Sequence, residues 1–390
     1  KYPMYGVTRH QDWWGKGSAL TNQEHDADLA MIMDIGATTI RLAHYQQAEY
    51  MYAKCDSLGL IVWAEIPFVN RVTGQEWDNV HQQMRELIRQ SFNHPSIYVW
   101  GIHNEVYHPH GYTAALTQSV HDLCKLEDPD RYTVAVNGYG HAEHPVNGNT
   151  DIQGMNRYFG WYEKKIQDIK PWIEKMAKEY PWQRLMLTEY GADANIEHQT
   201  ELLGDALNWG SDFYPETFQT KTHEYQWGVI SQHPYILASY LWNMFDFAVP
   251  QWKRGGVDAR NMKGLITFDR KIRKDAFYWY KANWSKEPVL YLTQRRNTER
   301  ERRETSVTVY SNLGTPRVFL NGRELDGVRK GYTDVHYIFD QVTLAEERNV
   351  LRAVIVSDGK EYTDEIVWNY NGEHVRQADA YEHKKEHAGW

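Results

Sequence analysis

Short apolar runs alternate with longer amphipathic stretches from residue 4 to about residue 284. Short apolar runs are typical of buried strands, whereas apolar positions spaced three and four apart are typical of helices. The runs that fit strands are Met4–Val7, Thr38–Leu42, Leu60–Glu65, Ile97–His103, Thr133–Val136, Asp151–Met155, Leu185–Glu189 and Leu237–Trp242. Helices are predicted at Glu24–Ile35, Glu49–Leu58, Val80–Phe92, Thr113–Leu126, Pro171–Tyr180 and Asp275–Trp284. Eight βα units in series predict an α/β fold, a (β/α)8 TIM barrel over residues 1–286.

The pattern changes after Pro288 to alternating β-branched and polar residues. The turn pairs Asn321-Gly322 and Asp358-Gly359 separate such runs, and these pairs are typical of tight hairpins. Residues 287–370 are therefore predicted to form a small antiparallel β-sandwich. The tail over residues 371–390 is polar and rich in His, Glu and Lys, which predicts a loosely ordered segment.

Composition favours a carbohydrate enzyme. Aromatic residues make up 14% of the chain, with 16 Trp and 27 Tyr, and flat aromatic faces suit the apolar C–H faces of a pyranose. The net charge of −9 argues against a nucleic-acid partner, which would need clustered Lys and Arg. The basic run from Arg295 to Arg303 is interrupted by Glu299 and Glu301, and we expect it to form a solvated hairpin.

Cys55 and Cys124 each lie in an apolar helical pattern, which predicts two buried free thiols. No run of eighteen apolar residues is present, so no membrane partner is predicted. The chain starts at Lys1, directly before a strand, and we expect a targeting segment to be missing. We expect a soluble protein, and its compartment stays open, with the periplasm and secretion among the alternatives. Its assembly into a homo-oligomer also stays open.

Two glutamates end two strands of the predicted barrel, Glu105 after strand four and Glu189 at the end of strand seven. The C-terminal ends of barrel strands converge on one mouth, so both carboxyl groups can face one substrate. Hydrolysis of a glycosidic bond needs such a pair, one group to protonate the leaving oxygen and one to stabilise or attack the anomeric carbon. Retention of configuration predicts a separation of about 5 to 5.5 Å between them.

Several motifs in this order resemble glycoside hydrolase family 2. Asn93-His94-Pro95-Ser96, leading to Asn104-Glu105, is similar to the acid/base signature of that family, and Thr188-Glu189-Tyr190-Gly191 is similar to its nucleophile signature. The other similar segments are 6–12, 40–45, 156–162 and 241–246. The resemblance covers residues 4–285 and implies a retaining β-glycosidase that needs no cofactor and takes a carbohydrate, a β-galactoside or an oligosaccharide, as its partner.

The resemblance also implies a role for each matching residue. Glu105 would be the acid/base and Glu189 the nucleophile. Asn104 would bind the sugar 2-OH, a contact that strengthens in the transition state. Tyr158 would donate to Glu189, and Arg41 would orient the carboxylates. His10 and His44 would bind sugar hydroxyls, and Trp242 would form an apolar floor under the pyranose.

Two segments differ from parts of the family. The stretch Ala64-Glu65-Ile66-Pro67-Phe68 lacks the Glu-x-His pair that binds magnesium in some large bacterial members, so no metal site is predicted. The sandwich domains that precede the barrel in the family are also missing, and we expect their absence to affect stability, assembly or specificity.

The sugar is the least determined feature. Asn261-Met262-Lys263 has the Asn-x-Lys spacing of β-glucuronidases, and a lysine near C6 would favour a uronate. The segments 191–199, 242–247 and 274–281 are more similar to galactosidases, and a β-galactoside is the predicted substrate. A β-glucuronidase, a noncatalytic carbohydrate-binding barrel and a transglycosylase remain as alternatives.

Overall fold

The computed structural model describes residues 2–106, 110–138 and 142–373. Eight parallel strands form a closed barrel in chain order, which β1 completes by pairing with β8. They are β1 Tyr5–Arg9, β2 Thr39–Leu42, β3 Ile61–Glu65, β4 Ile97–Asn104, β5 Tyr132–Asn137, β6 Ile152–Asn156, β7 Leu185–Glu189 and β8 Ile236–Leu241. The predicted TIM barrel is confirmed, and each predicted strand end lies within two residues of the observed one.

The helices surround the barrel. They are α1 Asn22–Asp34, α2 Glu49–Leu58, α3 Trp77–Ser91, α4 Gly111–Glu127, α5 Pro145–Gly148, α6 Ile169–Glu179, α7 Glu216–Ile230 and α8 Asp275–Trp284. Local capping sets some of their ends: the Glu24 carboxylate accepts from the Thr21 backbone at the start of α1, and Gly59 takes a left-handed conformation (φ 68°) after α2. The helices α5 and α7 are not among the predicted ones.

The barrel interior changes from apolar to charged along its axis. Side chains two residues apart on a strand point the same way, so Trp63 and Glu65 of β3 both face inward. Trp63 packs edge-on against Tyr240, with ring centroids 5.3 Å apart. The Arg41 guanidinium lies over the Trp63 ring at 4.6 Å and also bonds Glu65. The charged layer therefore rests on an aromatic layer that fixes its position.

A two-stranded hairpin follows β8 on the C-terminal face of the barrel. It pairs β9 Phe247–Arg254 with β10 Val257–Asn261. Gly255 and Gly256 make its turn with φ of 68° and 71°, values that favour glycine.

An antiparallel β-sandwich follows the barrel, as predicted. One sheet has the order β11-β13-β17-β16 and the other β12-β19-β18-β14-β15. The strands are β11 Leu290–Leu292, β12 Glu299–Arg300, β13 Glu304–Ser311, β14 Arg317–Leu320, β15 Arg323–Glu324, β16 Val328–Lys330, β17 His336–Thr343, β18 Glu347–Ser357 and β19 Lys360–Tyr370. Asn321-Gly322 and Asp358-Gly359 form the predicted turns, all four residues with positive φ.

The basic run between β11 and β13 contacts the barrel, so the prediction of a solvated hairpin is wrong. Arg296 bonds Glu216 and lies 3.0 Å from Asp275. Arg300 is 1% exposed, lies over the Trp368 ring at 3.9 Å and pairs with Glu201. Arg296 and Arg300 are largely withdrawn from solvent because carboxylates 80 and 99 residues earlier in the chain, Glu216 and Glu201, neutralise them.

Cys55 and Cys124 are buried and free, which confirms that prediction. Among the described residues, no helix is long and apolar enough to span a membrane. Most of the predicted polar tail, residues 374–390, lies outside the described residues.

Candidate active site

A cavity of about 960 Å³ opens at the C-terminal mouth of the barrel. All but one of the predicted site residues line it, namely His10, His44, Asn104, Glu105, Tyr158, Glu189, Trp242 and Lys263. The exception, Arg41, is fully buried and does not line the cavity. It contacts the cavity residues Glu189 and Asn104 from below. The loops after the strands thus bring together residues that are up to 253 positions apart in the sequence.

Glu105 follows β4 in a left-handed backbone conformation, with φ of 49°. Such a conformation costs a non-glycine residue about 1 kcal/mol or more and is found most often at functional sites. The Glu105 amide donates to the Val136 carbonyl (3.0 Å), and the Asn156 amide donates to Glu105 Oε1 (2.8 Å). Burial, together with the charge of Glu189, raises the pKa of Glu105 to about 7. The group can therefore hold a proton near neutral pH.

Glu189, the last residue of β7, has a donor at each carboxylate oxygen. Arg41 Nη1 donates to Oε1 (2.8 Å), and the Tyr158 hydroxyl donates to Oε2 (2.6 Å). One donor is a cation, and the side chain of Glu189 is only 6% exposed. These bonds stabilise the ionised carboxylate and hold its orientation.

A chain of hydrogen bonds joins the two glutamates. Arg41, which bonds Glu189, also donates to Asn104 Oδ1 (2.9 Å), and Asn156, which bonds Glu105, lies 3.3 Å from the same oxygen. Because Asn104 Oδ1 accepts these bonds, its Nδ2 donors are the group that it can offer to a ligand. Thr188 Oγ1 fixes the Asn156 amide by donating to its Oδ1 (2.8 Å).

Glu65 organises the side of the cavity that carries the histidines. It accepts from Arg41 Nε (3.0 Å) and lies 2.6 Å from His44 Nδ1, which leaves His44 Nε2 4.0 Å from Glu189. Burial alone would raise the pKa of Glu65, but Arg41 and His44 outweigh it and lower that pKa. Burial and the neighbouring His44 and Arg41 lower the pKa of His10 well below its usual value, so that ring is neutral.

Trp242 forms part of the aromatic wall of the cavity. Its ring stacks on His44 with centroids 5.0 Å apart and an interplanar angle of 18°. His10 packs edge-on against the same ring (5.3 Å) and lies 4.4 Å from the Phe247 ring. This wall offers an apolar surface next to the donors and acceptors of the histidines.

Lys263 lies in a separate polar group at the cavity wall. Its side chain is 1% exposed, and its ammonium pairs with Asp193 (2.6 Å) and donates to the Tyr162 hydroxyl (2.9 Å). Arg254 Nη2 donates to the same hydroxyl (3.0 Å). Within the described part of the chain, no carboxylate forms an ion pair with Arg254. Two cations and one carboxylate therefore surround Tyr162.

The residues that the sequence did not single out include Glu65, Asn156, Asp193 and Arg254. The signal for Glu65 and Asn156 was their position at strand ends, the same signal that identified Glu105 and Glu189. For a metal, the described residues contain no group of three or more His, Cys, Asp or Glu side chains arranged to bind an ion. The expected lack of magnesium stays a prediction.

The sequence of this chain matches that of a known family. Residues 2–287 match the sequence profile of "Glycosyl hydrolases family 2, TIM barrel domain". A β-glucuronidase from Bacteroides fragilis is 37% identical over 382 residues, which cover 94% of this chain and 54% of the relative.

Two solved structures show the same fold over almost the whole chain. A "putative beta-galactosidase" from Bacteroides fragilis is 75% identical, with a TM-score of 0.96 over 97% of this chain and 56% of that one. An FMN-binding β-glucuronidase from Faecalibacterium prausnitzii L2-6 is 38% identical, with a TM-score of 0.87 over 95% of this chain and 56% of that one. The chain thus spans about half the length of the relatives that it matches.

Proposed function

The chain belongs to glycosyl hydrolases family 2, and from that premise we propose that it cleaves β-glycosides with retention and takes a β-glucuronide. The enzyme class is that of a glycoside hydrolase. The mechanism and the sugar are our proposal. The observation that carries the mechanism is the pair of glutamates that line one cavity, each with a different set of donors.

In the first step, a carboxylate oxygen of Glu189 attacks the anomeric carbon, and the bond from that carbon to the leaving oxygen breaks. Glu105 gives its proton to the leaving oxygen. Because burial and the Glu189 charge raise the pKa of Glu105 to about 7, the proton is available near neutral pH. Arg41 and Tyr158 hold Glu189 in its attacking orientation.

In the second step, the ionised Glu105 takes a proton from water, and the water oxygen attacks the anomeric carbon. The ester bond to Glu189 breaks, and both carboxyl groups return to their starting states. The negative charge of Glu189 is absent in the ester, which removes one of the causes that raise the pKa of Glu105. The same residue can therefore act first as acid and then as base.

The charges around Tyr162 favour a β-glucuronide over the β-galactoside expected from the sequence. Lys263 and Arg254 both donate to the Tyr162 hydroxyl, and Asp193 is the one carboxylate that pairs with Lys263 among the described residues. This leaves an excess of positive charge beside the cavity, which a sugar carboxylate can neutralise through charge-assisted hydrogen bonds. The Lys263 ammonium also lies 5.6 Å from the centre of the Tyr158 ring, whose hydroxyl bonds Glu189.

A β-galactoside remains the second candidate because Lys263 already has a carboxylate partner in Asp193, at 2.6 Å. A neutral sugar would leave that pair intact and could bond its C6 hydroxyl to it. The 75% identical structure also bears a galactosidase name.

The test compares phenyl β-glucuronide, β-glucoside and β-galactoside, of which the first two differ only at C6. We expect the highest kcat/KM for the glucuronide. Lys263→Met should lower the ratio of glucuronide to glucoside kcat/KM about 10-fold to 100-fold, the value of one charge-assisted bond. The ratio does not depend on the fraction of folded enzyme. The control is Lys271→Met, an exposed lysine whose loss should leave the ratio unchanged.

A preference for the galactoside that survives Lys263→Met would contradict the glucuronide proposal and favour the second candidate. Failure to hydrolyse any of the three substrates would favour the noncatalytic barrel. A transglycosylase would be recognised by sugar transfer in place of hydrolysis when an acceptor sugar is added.

A further inference from the structure

A second cavity, of about 560 Å³, opens on the same face of the barrel. Its wall combines the loop after β1, the segment Asn195–His198 after β7 and residues 267–269 after β10. The β9–β10 hairpin separates it from the active site: Phe247 and Val249 line the first cavity, whereas Val257 and Arg260 line the second. We call this second space the Trp14 cavity.

Trp14 supplies a flat aromatic surface at the entrance of the cavity. Its side chain is 57% exposed, unusually high for a Trp. The Arg260 guanidinium lies over the ring at 4.9 Å, and Phe268 packs edge-on at 5.6 Å. These two contacts hold the ring in place, while more than half of its surface remains available to a ligand.

The loop that carries Trp14 is anchored to the active-site hairpin. The Asp12 carboxylate accepts from the Ala248 amide of β9 (2.7 Å), and Arg270 donates to the Asp12 carbonyl (2.6 Å). The Trp13 and Gly17 backbones also pair across the turn. These bonds fix the loop that carries the Trp14 ring. Less entropy is therefore lost when a ligand binds, because the loop is already ordered.

The polar residues of the wall indicate the chemistry of the ligand. The Glu197 carboxylate is exposed and forms no ion pair among the described residues, so it can accept hydrogen bonds from hydroxyl groups. Asp246 is already paired with Lys274 (2.9 Å), and Asp269 bonds Thr267 within its own turn. Lys274 and Lys271 neutralise Asp246 and Asp269, which leaves Glu197 and Arg260 as one charge of each sign, so the wall has no excess of positive charge to bind a polyanion.

We propose that the Trp14 cavity is a second carbohydrate site, which binds a neutral, hydroxyl-rich glycan on the Trp14 ring with Glu197 as a hydrogen-bond acceptor. An apolar ring face beside a carboxylate fits the apolar face and the hydroxyl edge of a pyranose. A glycan held there raises the effective concentration of its own termini at the active site behind the hairpin. This inference does not depend on which terminal sugar is cleaved.

The test measures retardation in native gels that contain a soluble neutral galactan, a soluble neutral β-glucan or polygalacturonate. The proteins carry Glu189→Gln, so that the polysaccharides are not cleaved. We expect a neutral glycan to retard the protein and Trp14→Ala to weaken its binding about tenfold, as is typical for the loss of a central aromatic contact. Glu197→Ala should weaken binding less. The matched control is Trp182→Ala, because Trp182 is 74% exposed but lies between α6 and β7, at the opposite end of the barrel.

Activity on phenyl glycosides, measured without the Glu189 change, separates this inference from the proposed function. Trp14 does not line the active-site cavity, so Trp14→Ala should keep the normal kcat/KM, which also shows that the variant folds. If Trp14→Ala does not fold, the loss of glycan binding in Glu197→Ala is the deciding measurement. The proposal is overturned if neither neutral glycan is bound, if Trp14→Ala and Trp182→Ala behave alike, or if polygalacturonate is bound through Trp14 as tightly as the neutral glycans.

Discussion

Glu105 and Glu189 are chemically the same side chain, and their neighbours make them different. Glu189 accepts from a guanidinium and a hydroxyl, whereas Glu105 accepts from one neutral amide. The burial of Glu105 is therefore poorly compensated, and its pKa rises to about 7. Pairs of carboxyl groups in unlike surroundings are how glycosidases obtain an acid and a nucleophile from one residue type.

The pH dependence of catalysis should follow Glu105. Its protonated form is needed for the first step, so kcat/KM for a phenyl glycoside should fall as the pH rises through about 7. A dinitrophenyl glycoside, whose leaving group needs no proton, should show no such fall. The measurement is the pH profile of kcat/KM for both substrates.

Asn156→Ala offers a sharper version of the same test. The Asn156 amide donates to Glu105 and lowers its pKa, so removing it should move the fall in activity on phenyl glycosides to higher pH. A residue with a purely structural role would reduce activity at all pH values alike. A shift to lower pH, or equal profiles for both leaving groups, would contradict the assignment of Glu105 as the acid.

Among the site residues, the sequence indicated those that end strands or lie in family motifs. It could not indicate Arg254, because its contact with Tyr162 spans 92 residues and depends on the turn of a hairpin. Asp193 lies in a quoted motif, but its partner Lys263 is 70 residues away. The balance of charge around a side chain depends on which distant residues the fold brings together. It therefore cannot be deduced from the spacing of residues in the sequence.

Among the elements, the residue that follows β5 limits the space around Glu105. A Cβ atom on Gly138 would lie 2.5 Å from Glu105 Cγ, so Gly138→Ala should displace that side chain. We expect kcat to fall about 100-fold, since a displacement of about 1 Å can cost that much. The control is Gly148→Ala, where a Cβ meets nothing within 4 Å and activity should persist. Normal activity of Gly138→Ala would show that Glu105 is not confined as described.

The contact between barrel and sandwich depends on Arg296. Arg296→Met would leave the buried carboxylates of Glu216 and Asp275 without their guanidinium, which should lower the free energy of unfolding by about 3 to 5 kcal/mol. Arg302→Met, at an exposed position in the same run, should change it by less than about 0.5 kcal/mol. Urea unfolding followed by tryptophan fluorescence compares the two. Equal effects would show that the Arg296 contact contributes nothing specific.

The elements differ in how well the sequence predicts them. The barrel strands and amphipathic helices have periodic sequence patterns, and their predicted bounds lie close to the observed ones. Helix α7 was missed because many of its 12 buried residues are Thr, Gln, Glu or His, so no apolar stripe of helical period marks its buried face. The basic run was predicted to be solvated because it is densely charged. The carboxylate partners of Arg296 and Arg300 in fact lie in the barrel.

For the whole molecule, the sequence supported both the barrel and the sandwich, and the family match covers residues 2–287. It did not indicate that the hairpin β9–β10 divides the C-terminal face into two cavities, because both walls come from loops of irregular pattern. The barrel thus holds a cavity with a charged floor on an aromatic layer, and ion pairs join the sandwich to the barrel.

Azide rescue tests whether Glu189 is the nucleophile and Glu105 the acid/base. In Glu105→Ala, a dinitrophenyl β-glycoside should still form the ester with Glu189, which then accumulates because no base activates water. Azide needs no deprotonation, so it should restore turnover and give the β-glycosyl azide. In Glu189→Gln, a single displacement could give only the α-azide. A β-azide from the Glu189 variant, or no azide product from a folded Glu105 variant, would show that the two roles are reversed or that the mechanism is wrong.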